Sequence, residues 1–253
     1  MARLTLARRL AALEEVQRDI RALRLPGLVG PPVHGPPVLA RVFLLGQAPG
    51  PHEARFGRPF AWTAGKTLFS WMGRSFGASE AEFRDRVYMA AVVRSFPGKT
   101  NGGGDRVPSP EEIGASRGFI EREIEILQPR LVVPVGRLAI EQVLGKGVEL
   151  KRVVGRRLRT RYHGVPVDVI CLPHPSGAST WFKVEPGRGL LEKALRLLGR
   201  HPEIRKTFGV RPTSASAPAS RGPSPGRGPR SPVPSRPRAT GPRSAPPRRA
   251  RGR

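Results

Sequence analysis

His174 stands between Pro173 and Pro175 and is followed by Ser176 and Gly177. Two flanking prolines restrict the backbone, so the imidazole sits on a rigid loop. There it can donate a hydrogen bond to a carbonyl oxygen that becomes anionic during a reaction. The bland alternative is a surface-loop histidine with no such part. A second group of residues has complementary chemistry. Gly46-Gln47-Ala48-Pro49-Gly50 is followed by Gly57-Arg58-Pro59-Phe60. Gln47 can present an amide to the edge of a base but cannot serve as a general base. Ala48 and Pro49 keep the turn tight, and Gly46 and Gly50 permit close backbone approach. Phe60 can stack on a planar ring, a contact worth ~1–3 kcal/mol; taken alone, it reads as an ordinary core phenylalanine.

Cationic residues form a third set. Arg156 and Arg157 open the run Arg156-Arg157-Leu158-Arg159-Thr160-Arg161, either a phosphate-contacting surface or a solvated hairpin or loop. Lys99 precedes the flexible Gly102-Gly103-Gly104 and can track a phosphate backbone. Gly65-Lys66-Thr67 suggests a phosphate-binding loop, but that motif needs a glycine where Phe60 stands, and the reading fails.

These residues need elements to hold them. The first loop follows the apolar run Val42-Phe43-Leu44-Leu45, and His174 follows the run from Val165 to Leu172. Both loops therefore leave the carboxyl ends of buried strands, where open α/β sheets bind ligands, and one shared pocket is expected. Leu6, Leu10, Leu13, Val16, Ile20 and Leu23 recur at helical spacing. A Gly/Pro linker covers 27–37. Strands are expected at 38–45, 86–93, 130–135 and 165–172, and helices at 64–72, 110–127, 136–144 and 188–198. Ser109-Pro110-Glu111-Glu112 is a helix-start signature. Strands alternating with helices predict a parallel sheet covered on both faces.

The 253-residue chain carries a formal charge of +26. Eleven arginines and no acid or lysine lie in 209–253, which leaves +15 for the rest. That Arg/Pro/Ser/Gly-rich tail has too little apolar surface to offset its ordering entropy. A basic body with a basic tail points to a polyanion, most often nucleic acid; the bland alternative is a solubilising tail. The single cysteine, Cys171, excludes a disulfide framework and any all-cysteine metal site, and it reads as a small buried hydrophobe. No apolar run has the length of a membrane span, and no signal-peptide core opens the chain. These features predict a cytoplasmic protein.

The motifs, in order, resemble those of the uracil-DNA glycosylase superfamily. The branch most similar holds an iron–sulfur cluster, and its first loop reads Gly-Glu-Ala-Pro-Gly. The match comprises Gly46 to Gly50, Gly57 to Phe60, Ala64-Gly65, Val92-Val93-Arg94-Ser95, Pro108 to Glu112, Leu131 to Gly136, and His174-Pro175-Ser176. Three departures stand out. Leu23, Pro26, Ser95 and Ser116 occupy the places of the cluster cysteines. Gln47 replaces the glutamate of the first loop, and Ala48 stands where another branch has a water-activating aspartate. Ala91 replaces a uracil-reading asparagine, although a related branch carries a similar Ala-Ala-Val-Arg run.

The resemblance implies an α/β fold, a three-layer sandwich around a central, mainly parallel four-stranded sheet. It implies an N-terminal helix at 1–25 on a glycosylase-like domain at 38–200, followed by the tail at 209–253. The implied reaction is hydrolysis of the N-glycosidic bond of a flipped uracil or related deaminated base in DNA. The alternative is a DNA-binding protein that kept the fold and lost the chemistry. His174 and Gln47 are the expected catalytic residues. Gly46, Ala48, Pro49, Phe60 and Ala91 would bind the base, and Lys99, Arg156, Arg157, Ser176 and Gly177 would bind DNA. No metal or other cofactor is expected, and the protein is expected to act on DNA as a monomer, away from membranes.

Overall fold

The first strand forms where sequence patterning puts it, in an uninterrupted apolar run with no polar face to expose. A computed structural model describes residues 5–209; the basic tail expected at 209–253 lies outside them apart from Gly209. Along the chain come α1 (Leu6–Ala22), β1 (Val42–Gly46), α2 (Glu53–Phe56), α3 (Thr63–Phe76), α4 (Glu80–Arg86) and β2 (Tyr88–Ala91). Then follow α5 (Pro110–Leu127), β3 (Leu131–Pro134), α6 (Arg137–Leu144), α7 (Leu150–Val153), β4 (Leu158–Tyr162), β5 (Val165–Val169), α8 (Gly187–Arg200) and α9 (Pro202–Phe208).

The sheet order is β2-β1-β3-β5-β4. The β1–β2, β1–β3 and β3–β5 pairs are parallel, and β4 lies antiparallel on β5 at the edge. The sheet is thus mainly parallel, as expected, but has five strands rather than four. The additional strand is the basic run itself. Leu158 and Tyr162 turn inward while Arg159 and Arg161 stay exposed, an alternation that suits an edge strand covered on one face. A two-residue turn, His163 and Gly164, both at positive φ (44° and 78°), closes the hairpin with the twist that flanking strands favour.

Every residue of β1, β2 and β3 is buried, so helices cover both faces. On α1, Leu13, Val16 and Ile20 are fully buried, one stripe that packs on α5. A second helical group joins α3 to α4 and α8, and α8 to α9. The start of α5 follows its sequence signature: Ser109 Oγ accepts from the Glu112 N–H, and the Glu112 carboxylate accepts from the Ser109 N–H at 2.7 Å. Strand β2 ends at Ala91, yet Val92 and Val93 remain buried. Their N–H groups donate to the carbonyls of Gly46 and Gln47, so β2 ties down the loop that leaves β1. No helix among the described residues is long and apolar enough to cross a membrane.

Candidate functional site

Strand β1 has β2 on one side and β3 on the other, so successive crossovers leave it in opposite directions and open a crevice at its carboxyl end. Parallel register levels Gly46 with Ala91. A cavity of about 290 Å³ opens there, walled by Gly46, Ala48, Pro49, Phe60, Ala90, Ala91, His174 and Ser176, with His52, Glu53, Trp62 and Asp105. One pocket shared by the two loops is what the structure builds.

Phe60 is held by unusual means. Its φ is +52°, a strained value for a bulky residue. Arg84 clamps the turn, with Nη1 donating to the Pro59 carbonyl at 2.8 Å and Nη2 to the Phe60 carbonyl at 3.0 Å. Gly65 is needed because a Cβ there would lie 1.8 Å from the Phe60 carbonyl oxygen. The ring then rests over Gly46, where a Cβ would approach Phe60 Cζ to 3.1 Å. A side chain at position 46 would fill the space beside the ring face.

His174 is set against Gly136, whose φ is +87° and where a Cβ would meet the imidazole at 3.0 Å. The Ser176 N–H donates to His174 Nδ1 at 3.3 Å, which assigns the ring proton to Nε2 in the neutral tautomer. Burial lowers the His174 pKa, and the negative charge of Asp105 opposes this. The histidine therefore presents one N–H donor and no positive charge at neutral pH.

All five residues expected to bind the base meet here, Gly46, Ala48, Pro49, Phe60 and Ala91, together with His174 and Ser176. Gln47 does not line the cavity. Its carbonyl is held by the Val93 N–H at 3.1 Å, and the residue is half-buried beside the wall that Gly46 and Ala48 help to make. Gly177 lies just outside, its carbonyl accepting from Lys183 Nζ. Lys99 is exposed on a small hairpin whose other arm carries Asp105. Arg156 is exposed beside the start of β4, which the antiparallel pairing brings to the cavity end of the sheet. Arg157 is exposed and paired with Asp168 at 2.6 Å, a carboxylate it shares with Arg159 and His201.

Sequence reasoning missed Glu53, His52, Trp62 and Asp105. His52 and Glu53 lie in the span that links Gly50 to Gly57, and Trp62 follows Phe60 by two residues, positions that could have drawn notice. Glu53 is buried, and burial raises its carboxyl pKa while the Gly50 and Glu53 amides oppose the rise. Trp62 packs on His52 and Phe56, with ring centroids 4.6 and 5.8 Å away.

The four positions that stand in place of cluster cysteines carry no thiol. Leu23, Pro26 and Ser95 line one small cavity, and Ser116 Oγ is buried with no hydrogen-bond partner among the described residues. Three of the four positions share a cavity, but alkyl groups and hydroxyls cannot replace the thiolates that hold such a cluster. The residues do not fit that group. Cys171 is buried elsewhere, with its thiol pushed up to about 12 by burial. No grouping of three or more metal-ligating side chains occurs among the described residues.

The model of the Uracil DNA glycosylase superfamily matches residues 32–199. Among curated relatives, a Type-4 uracil-DNA glycosylase of Sulfurisphaera tokodaii is 29% identical over 143 residues, covering 55% of this chain and 61% of the relative. One of Thermotoga maritima is 34% identical over 116 residues, covering 46% and 55%. A Type-5 uracil-DNA glycosylase of Pyrobaculum aerophilum is 30% identical over 150 residues, covering 51% and 63%. The matches span roughly three-fifths of the length of these relatives.

Proposed function

Because this chain belongs to the uracil DNA glycosylase superfamily, we propose that it hydrolyses the N-glycosidic bond of a uracil, or a related deaminated base, turned out of DNA. The bond is inaccessible in the helical stack, so the nucleotide must be extruded, and a mispaired base costs least to extrude. Phe60 supplies the stacking face. Gly46, Ala48, Pro49 and Ala91 supply close, small walls, so recognition of the base edge falls to backbone groups and His174. As the bond breaks, the sugar becomes cationic and the base anionic. The observation that carries the reading is the Ser176-to-His174 hydrogen bond. It leaves Nε2–H as the ring's donor for the oxygen of the departing base, a role for which a neutral, preorganised donor suffices. DNA would run past Lys99, Arg156, Ser176 and Gly177, whose phosphate contacts position without reading sequence.

A single-turnover assay on a uracil-containing oligonucleotide tests the reading. Wild type should release the base, and His174→Ala should slow release by roughly 10²–10³-fold with little change in DNA affinity. DNA binding with no base released from any deaminated substrate would establish the alternative of a fold that kept its ligand and lost its chemistry.

A further inference from the structure

Bond cleavage leaves a cationic sugar that must be stabilised and captured by water. The expected catalytic residues supply no carboxylate for this. Gln47 is off the cavity, and Ala48 and Ala91 carry no polar group. Two carboxylates nevertheless line the wall, Glu53 and Asp105, and their surroundings differ. Glu53 is buried, which raises its pKa, while the Gly50 and Glu53 amides favour its charged form. A Cβ on Gly50 would sit 2.7 Å from its Oε2, so Glu53 packs into the first loop as part of its structure.

Asp105 is exposed at the mouth. Its carboxylate has no hydrogen-bonded or ion-paired partner among the described residues, yet its charge acts on both His174 and Glu53. The hairpin beneath it is fixed. Arg106 N–H donates to the Gly98 carbonyl at 2.9 Å and Arg106 Nε to the Pro97 carbonyl at 2.7 Å. The Arg106 guanidinium forks onto Glu112 at 2.6 and 2.9 Å. An acid at this position repels DNA phosphates, so it weakens binding unless it acts on something cationic.

We propose that Asp105 is the carboxylate that faces the sugar C1′ of the extruded nucleotide, stabilises its positive charge and accepts a proton from the attacking water. The proposal rests on the glycosylase reading of the same cavity. The base enters toward Phe60 and Gly46, whereas its sugar stays at the mouth because the DNA chain continues on both sides. A mouth carboxylate therefore meets the sugar, and His174 meets the base. The C1′–N bond breaks with its electron pair going to the base nitrogen. A water oxygen bonds to C1′ and gives its proton to Asp105, and that proton returns to the base anion or to solvent. The products are a free base and an abasic sugar bearing a hydroxyl.

Asp105→Asn tests this, since it preserves shape on an exposed loop and removes only the charge. Single-turnover release at saturating uracil-containing DNA should fall by roughly 10²–10⁴-fold, while affinity for undamaged DNA stays the same or rises. The second arm needs no catalysis. Duplexes carrying a cationic pyrrolidine abasic analogue or its neutral tetrahydrofuran counterpart are compared for binding. Wild type should prefer the cation by roughly tenfold, and Asp105→Asn should lose that preference. A variant that releases base at the wild-type rate, or that keeps the cation preference, overturns the role. If wild type releases no base, the glycosylase reading fails, and the cation preference then decides Asp105 by itself.

Discussion

The Arg94–Glu123 pair offers a prediction whose size follows from the structure. Both side chains are fully buried, and Arg94 Nη2 lies 2.6 Å from Glu123 Oε2. Tyr88 O–H donates to the other carboxylate oxygen at 2.8 Å. Arg94 Nε and Nη1 have no partner among the described residues, so nothing else compensates the guanidinium charge. Two unit charges at that separation attract by about 6 kcal/mol at an effective dielectric near 20, most of it offset by the desolvation of both ions. Glu123→Gln keeps the shape and removes one charge. The buried arginine is then uncompensated, and about 3–5 kcal/mol of stability should be lost. That is a large share of the 5–15 kcal/mol typical of a domain. The control is Glu121→Gln, which weakens surface contacts with Arg117 at 2.9 Å and His163 at 3.3 Å and should cost less than about 1 kcal/mol. Replacing both buried partners, Arg94→Met with Glu123→Leu, should recover part of that loss, the rest going to the Tyr88 O–H left without its acceptor. Urea unfolding of the four proteins measures this. The reasoning is refuted if Glu123→Gln unfolds with Glu121→Gln, or if the double variant is no better than the single one.

Gly65→Ala should destabilise the protein by at least about 1–3 kcal/mol and impair base release, because the new Cβ meets the Phe60 backbone rather than a side chain able to move; a thermal melt and the single-turnover assay check both effects. Stability should also fall as pH drops below 6.5. Burial holds His34, His163, His174 and His201 below their ordinary pKa, so the unfolded chain binds more protons there and acid favours it. Glu53, whose pKa is raised, acts with the opposite sign just above 4.5, and it is one group against four. Melting temperatures from pH 5 to pH 8 that stayed flat would contradict this balance.

The sequence determined by itself whatever depends on local pattern. The apolar run of β1, the Ser109-to-Glu112 helix start and the Leu13, Val16 and Ile20 part of the α1 stripe bury or cap in one way only, because backbone groups and side-chain periodicity allow few alternatives. The order of motifs was enough to bring the Gly46 loop and the His174 loop to one pocket, since the carboxyl ends of parallel strands share one edge. The basic run at 156–161 left hairpin, loop and phosphate-contacting surface all open, because its arginines masked the inward Leu158 and Tyr162. Only the tertiary structure decided which polar groups face the cavity. Gln47 and Ala48 are neighbours in the chain, yet one is excluded and the other included, because the Val93 N–H fixes the loop from a different strand. Arg157 reads as a free cation until the fold pairs it with Asp168. Asp105, a lone acid after three glycines, reaches the cavity because Arg106 is anchored on α5. Such assignments depend on contacts between distant segments, and residue type and spacing do not encode those distances.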